Sequence, residues 1–293
     1  MSRMRPTRML AAVACALACS VMAAARGQDQ HQEAQEPQSR QQAQRPYQPE
    51  IGQEGKDVVW VPTSDTMVEK MLDLAEVTPA DYVLDLGSGD GRTVIAAARR
   101  GARAHGIEYN PEMVELSRGN AEAAGVTSLA TFERADLFEA DLSKATVITM
   151  FLLPSINLEL RPKLLAMAPG TRIVSNTFDM EGWKPDRSEV VTKDCANYCT
   201  ALLWVVPARV EGTWQLPRGR RLRLAQTFQV VSGALVAGGT RRSLVRPRLR
   251  GDHLTFTAGG ARYDLRVTGD TMRGTVTTGR TKGEPIEATR VTS

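Results

Sequence analysis

Three acidic residues stand at spaced positions around a cluster of glycines. Asp85 precedes Gly87-Ser88-Gly89-Asp90-Gly91, Glu108 follows 23 residues after Asp85, and Asp136 comes just before Leu137. Carboxylates accept hydrogen bonds and attract cations, so this set suits a ligand that offers an ammonium group, hydroxyls or an amine. It would repel a pyrophosphate. Glycines bring no Cβ, which lets backbone approach a ligand closely. The dinucleotide string G-x-G-x-x-G is broken, because Arg92 stands three residues after Gly89. The phosphate-cradling string G-x-x-x-x-G-K-[ST] does not occur.

The elements that must position these residues follow from local patterning. Residues 82–86 are an apolar, β-prone run, the glycines make a turn, and 93–100 read as a helix. That is the start of a βαβ unit, where backbone N–H groups at a helix N-terminus meet a ligand. Upstream, Thr63 or Ser64 caps a helix to about residue 75, with Met67, Met71, Leu72 and Leu74 on one face. Residues 102–108 read as a second strand ending at Glu108, after which Asn110 caps a helix with Pro111 in its first position. Gly125 ends that helix. Residues 130–138 read as a third strand ending in Asp136, 145–151 as a fourth, and 171–178 as a fifth. Residues 190–206 supply the last two strands. Successive strands each ending in an acid would align Asp85, Glu108 and Asp136 along one edge of a parallel sheet. Ligands of open α/β sheets bind outside that edge, and an acid about 20 residues after the first strand reaches ribose hydroxyls.

This donor set suits S-adenosylmethionine, which carries an amino acid, a sulfonium and a nucleoside but no phosphate. The pattern Asp85-x-Gly87-x-Gly89-x-Gly91 resembles the first motif of class I, seven-strand methyltransferases. Residues 57–185 resemble, more narrowly, bacterial relatives of the ATP-synthase c-subunit lysine methyltransferase family. The shared features are Val61-Pro62-Thr63, the run from Asp85 to Arg92, Gly106-Ile107-Glu108, Asp136-Leu137-Phe138 and residues 169–175. Ser64 departs from the pattern, since relatives often carry a second proline there. The resemblance implies a Rossmann-like seven-strand sheet ending in an antiparallel hairpin, S-adenosylmethionine as cofactor, and methyl transfer to an acceptor such as a protein lysine amine. It implies that Gly87, Ser88, Gly89 and Gly91 admit the methionine part, Asp85 its ammonium, Glu108 the ribose, and Asp136 with Leu137 the adenine. No catalytic residue is singled out, because an in-line methyl displacement draws most of its acceleration from proximity and alignment. Phe151-Leu152-Leu153-Pro154 stands where amine methylation of nucleobases or glutamine would call for (Asp/Asn)-Pro-Pro-Tyr. Two other readings are a small-molecule O- or N-methyltransferase and a non-catalytic exported binding protein on the same fold.

The flanks differ in character from this central part. In residues 1–25, Arg3, Arg5 and Arg8 precede an apolar run and three alanines, the layout of a secretory signal peptide, with an organelle transit peptide as the rival. Cys19 lacks the Leu three residues earlier that lipoprotein processing favours. Residues 26–55 are rich in Gln and poor in apolar residues, so a disordered linker is expected. The methyltransferase domain is expected over 56–210. Within it Cys195 and Cys199 suggest a local disulfide, ahead of free thiols or a metal site, since His31, His105 and His253 are scattered. No metal is expected. Residues 211–293 alternate in short runs between Gly-rich turns, which indicates a small antiparallel sheet or barrel. They hold fifteen Arg and Lys against six Asp and Glu, although the whole chain carries only +4. This basic domain is either a solvated face or a module for an acidic partner such as a membrane surface or polyanion. The aromatic interleaving of single-strand nucleic-acid binding is sparse.

Overall fold

The strand β1 (Tyr82–Leu86) is the centre of a seven-stranded sheet. A computed structural model describes residues 47–56, 59–279 and 283–291, so the expected signal peptide and most of the expected linker lie outside the described residues. On one side of β1 stand β2 (Arg103–Glu108) and β3 (Ala130–Arg134); on the other stand β4 (Val147–Met150), β5 (Arg172–Asn176), β7 (Thr200–Val205) and β6 (Arg187–Val190). The first five strands run parallel, while β7 is antiparallel to β5 and to β6. This is the seven-strand sheet with an antiparallel closing hairpin that the resemblance implied. Its order reverses between β1 and β4, the place where open α/β sheets bind ligands.

Alternation along β1 sends Val83 to one face and Leu84 and Leu86 to the other. The first face is covered by α1 (Asp65–Leu74), α2 (Arg92–Arg99) and α3 (Pro111–Ala123), which bury Met67, Met71, Val94, Ala97 and Val114 against it. The second is covered by α4 (Pro154–Leu165) through Ile156, Leu160 and Leu164. Helix starts obey their caps. Ser64 accepts from Met67 N–H at 3.4 Å, and Asn110 accepts from the N–H groups of Glu112 and Met113 with Pro111 at the first position.

Three boundaries differ from expectation. β3 stops at Arg134, so Asp136 lies in the following turn and not at the strand's end. β6 finishes at Val190, where the hairpin was expected to begin. Residues 47–55, assigned to the linker, form hydrogen-bonded turns: Gln53 Nε2 donates to Tyr47 Oη at 2.6 Å, and Gly52 N–H donates to Trp60 O at 2.8 Å. The loop between β6 and β7 holds a Cys195–Cys199 disulfide.

The remaining strands make a separate, nearly closed antiparallel sheet. They are β8 (Gly212–Gln215), β9 (Arg221–Thr227), β10 (Val230–Ala237), β11 (Thr240–Ser243), β12 (Val245–Arg250), β13 (His253–Ala258), β14 (Ala261–Thr268), β15 (Thr271–Thr278) and β16 (Glu284–Arg290). The spatial order is β11-β10-β9-β8-β16-β15-β14-β13-β12. Leu244, between β11 and β12, donates its N–H to Gly233 O of β10 at 3.0 Å, which draws the two ends together. Trp214, Leu222, Tyr263, Leu265 and Met272 fill the interior. The unit docks on the α4 side of the first sheet, where Phe228 stacks on Trp183 and Gln229 Nε2 donates to Lys184 O at 2.7 Å.

Candidate active site

At the carboxyl ends of β1, β2 and β4 lies a cleft lined by Asp85, Gly87, Ser88, Gly89, Glu108, Asp136 and Leu137. Seven of the eight residues singled out from the sequence therefore converge. The eighth, Gly91, does not line the cleft. It caps α2 at φ +82°, and a Cβ there would stand 2.8 Å from the Phe132 ring and 2.9 Å from Ser117 Cβ. Gly91 is a packing glycine that lets α2 approach β3 and α3.

The glycine turn is held by its own neighbours. Gly87 and Ser88 both donate their N–H groups to Ile107 O, at 2.9 and 3.0 Å, and Gly91 N–H donates to Ser88 O at 2.9 Å. Gly89 N–H donates to Glu108 Oε2 at 2.9 Å. From α3, Ser117 Oγ donates to Gly89 O at 2.7 Å and Asn120 Nδ2 to Asp90 O at 2.9 Å. The expected cradle of N–H groups is thus largely spent inside the protein. At Gly89, φ +53°, an added Cβ would stand 2.7 Å from Trp60 Nε1, so glycine is what lets Trp60 pack on the turn.

The carboxylates differ in environment. Asp85 is buried and accepts a 2.6 Å hydrogen bond from Thr149 Oγ1. Burial pushes its pKa up to about 7, against the hydrogen bonds from Thr149 and Thr93, with the charges of Asp90 and Glu108 adding to the rise. Glu108 bridges two loops, since its other oxygen accepts from Asn110 N–H at 2.9 Å. A carboxylate has about four acceptor sites, so capacity remains for two hydroxyls. Asp136 accepts from Phe138 N–H at 2.9 Å and from Lys56 Nζ at 2.6 Å. The Lys56 ammonium, then the Phe138 N–H, hold the Asp136 carboxyl below the usual carboxylate range.

Of the rest of the wall only Phe151 and Leu152, at the acceptor motif after β4, were legible beforehand. Trp60 N–H donates to Gln53 O at 2.9 Å, and residues 53–56 with 59–60 line the cleft as a strap. Arg92 grips Asp90 through Nε and Nη2, at 3.0 and 2.6 Å, and through Nη1 donates to Thr63 O at 2.8 Å, tying the strap's end to the glycine turn. Met150, Phe151, Leu152 and Ile156 form the opposite wall. Thr149 and Lys56 carried no sequence signal, because their partners are 64 and 80 residues away.

A family profile described as the ANTKMT methyltransferase domain matches residues 85–187. A protein-lysine N-methyltransferase of Saccharolobus islandicus is 42% identical over 152 residues, which is 51% of this chain and 94% of that protein. The chain belongs to the class I S-adenosylmethionine-dependent methyltransferases, related to the ATP-synthase-C and ANTKMT lysine methyltransferases. The adenine nucleotide translocase lysine N-methyltransferase of Mus musculus is 41% identical over 130 residues, covering 44% of this chain and 56% of that one. A solved structure described as an RNA methyltransferase from Salinibacter ruber, with S-adenosyl-L-homocysteine, is 49% identical and covers 51% of this chain and 96% of that one, at a TM-score of 0.49.

S-adenosylmethionine is the cofactor of this methyltransferase, and the cleft's donor set agrees with it. The two cations that line the cleft, Lys56 and Arg92, are engaged by Asp136 and Asp90, while buried Asp85 and bridging Glu108 offer negative charge. That arrangement suits an ammonium and a ribose better than a phosphate. Among the described residues no group of three His, Cys, Asp or Glu is placed to hold a metal ion.

Proposed function

We propose that this methyltransferase modifies the ε-amine of protein lysines. The observation that carries the proposal is the 42% identity to a protein-lysine N-methyltransferase nearly all of whose length is matched. When bound, S-adenosylmethionine supplies a methyl group on positively charged sulfur. The chain's residues orient it: Asp85 accepts from the ammonium, Glu108 takes the ribose hydroxyls, and Asp136 with Leu137 faces the adenine. Lys56, which donates to Asp136 at 2.6 Å, would hold that carboxylate in place for the adenine amine. Phe151 and Leu152 line the wall beyond β4. Alignment in the cleft supplies the acceleration, without a dedicated nucleophile on the protein.

The test is transfer of a labelled methyl group from S-adenosylmethionine into a lysate of the source cells. Label should enter protein, and prior acetylation of lysines should abolish it. Label confined to small molecules would favour the O- or N-methyltransferase reading instead.

We further propose that the basic domain docks on anionic lipid headgroups. Between residues 212 and 251 there are nine arginines and no Asp or Glu. Arg221 on β9 and Arg241 on β11 flank Val236 on one face, and Arg223, Arg246 and Arg248 are likewise exposed. Arginine favours phosphate through its forked donors. Sedimentation with phosphatidylserine vesicles, reduced by Arg221→Glu with Arg223→Glu, supports the reading; binding to heparin alone points to another polyanion. Export through residues 1–25 is the accompanying proposal, and the Cys195–Cys199 disulfide suits an oxidising compartment.

A further inference from the structure

Three of the chain's fifteen aromatic side chains meet at the carboxyl edge of the catalytic sheet. Phe151 follows β4, Phe178 follows β5, and Tyr198 precedes β7. Ring centroids are 5.9 Å apart for Phe151 and Phe178, 5.1 Å for Phe151 and Tyr198, and 5.7 Å for Phe178 and Tyr198. None belongs to the apolar clusters that pack either face of the sheet, so core burial does not account for them. Phe151 lines the cofactor cleft, whereas Tyr198 is 42% exposed. The set therefore leads from solvent to the cleft.

The backbone beneath the rings is strained and braced. Thr177, a β-branched residue, has φ +62°, and Tyr198 has φ +57°. Such conformations persist where the surroundings over-determine them, and they cluster at functional sites. Ser175 Oγ donates to Phe178 O at 2.6 Å, and the fully buried Asn157 donates through Nδ2 to the carbonyls of Phe178 and Asp179 at 3.1 and 3.2 Å. Thr177 N–H donates to Thr200 O at 2.7 Å, which ties the Phe178 turn to the start of β7. The Cys195–Cys199 disulfide closes the loop that carries Tyr198, and Thr66 Oγ1 of α1 donates to Asp194 O at 3.1 Å.

Several rings elsewhere in the chain are already covered by its own cations. Tyr82, Tyr109, Phe138, Phe228 and Trp214 each have a Lys or Arg over them. Among the described residues Phe151, Phe178 and Tyr198 have none. We infer that these three rings form the mouth of the acceptor site and bind the alkylammonium end of a lysine and its methylated products. The inference rests on the lysine reading above and deepens it. Ring faces attract an ammonium through the aromatic quadrupole, and a quaternary ammonium is a favoured guest of such aromatic surrounds. Tyr198 meets the incoming side chain, Phe178 packs along its stem, and Phe151 hands it to the cleft. The disulfide acts through Tyr198, as a positioning link.

The test uses the oxidised full chain, with Nα-acetyl-Nε-trimethyl-lysine as probe and its uncharged tert-butyl isostere as control, followed by saturation-transfer NMR. The probe should bind saturably and the isostere about ten-fold more weakly. Tyr198→Ala, and the pair Cys195→Ser with Cys199→Ser, should each weaken the probe about ten-fold, while Tyr198→Phe retains it. Affinity for S-adenosylhomocysteine should stay unchanged in all of them, which shows that the variants fold. Equal binding of the isostere, or an unaltered probe affinity in Tyr198→Ala, overturns the inference. If lysines of proteins are methylated but Tyr198→Ala leaves the KM for them unmoved, the mouth is wrong and the lysine reading stands. If the probe binds through Tyr198 yet no lysine is methylated, the alkylammonium site stands and the lysine reading falls.

Discussion

Asp85→Asn should make the protein more stable and a weaker binder of its cofactor. Burial pushes the Asp85 pKa up to about 7, against 3.8 for an unperturbed aspartate. The folded state thus binds a proton that the unfolded state has released between those two values. Stability contributed by this residue falls as pH rises through that window, at about 1.4 kcal/mol per pH unit, and levels off above about pH 7. The full loss is about 4 kcal/mol, set by the gap of roughly three units. Asparagine has no charge to lose and keeps an oxygen to accept from Thr149 Oγ1. Urea unfolding of the full chain should show the variant equal to wild type near pH 4. It should exceed wild type by an amount that grows to about 4 kcal/mol by pH 8. In the same samples, affinity for S-adenosylmethionine should drop by about ten- to a hundred-fold, the worth of a hydrogen bond between charged groups. A stability difference that does not change between pH 4 and pH 8 would refute the reasoning.

Further outcomes follow from the same geometry. Affinity of wild type for S-adenosylmethionine should fall below about pH 7 as Asp85 takes up its proton, by about the ten- to hundred-fold that Asp85→Asn loses. It should fall again above about pH 8 as the ligand's amine loses its own, so calorimetry across pH should trace a peak. Gly91→Ala should lower stability by roughly 2 kcal/mol or more through the clash with Phe132 and a positive φ, read as a reduced melting temperature, with cofactor affinity altered only as folding is lost. Gly89→Ala should instead displace Trp60 and weaken cofactor binding with a smaller effect on melting.

Much of the fold was legible because local rules and tertiary structure agree in its first half. The run 82–86 coincides with β1, and Asn110 with Pro111 starts α3 as their chemistry requires. Asp85 and Glu108 could be placed because each lies in or at the end of an apolar strand. Asp136 was placed at the end of a strand that in fact stops at Arg134: past it, Ala135 N–H bonds back to Glu108 O, and Asp136 turns to cap the following loop through Phe138 N–H. The purpose of Gly91 was hidden because Phe132 and Ser117, which it must admit, are far along the chain. The same distance in sequence concealed the Lys56–Asp136 pair and the meeting of Phe151, Phe178 and Tyr198. Periodicity speaks for a residue's own element; it says little about which remote side chain arrives across the sheet.

The most direct measurement is a calorimetric titration of S-adenosylhomocysteine into the full chain and into Glu108→Ala. Glu108 is the carboxylate that both holds the glycine turn, through Gly89 N–H, and stands at the edge where ribose hydroxyls would meet it. The account predicts one saturable site in wild type, weakened about a hundred-fold or lost in the variant. Equal affinity in both proteins would contradict it and place the cofactor outside this cleft.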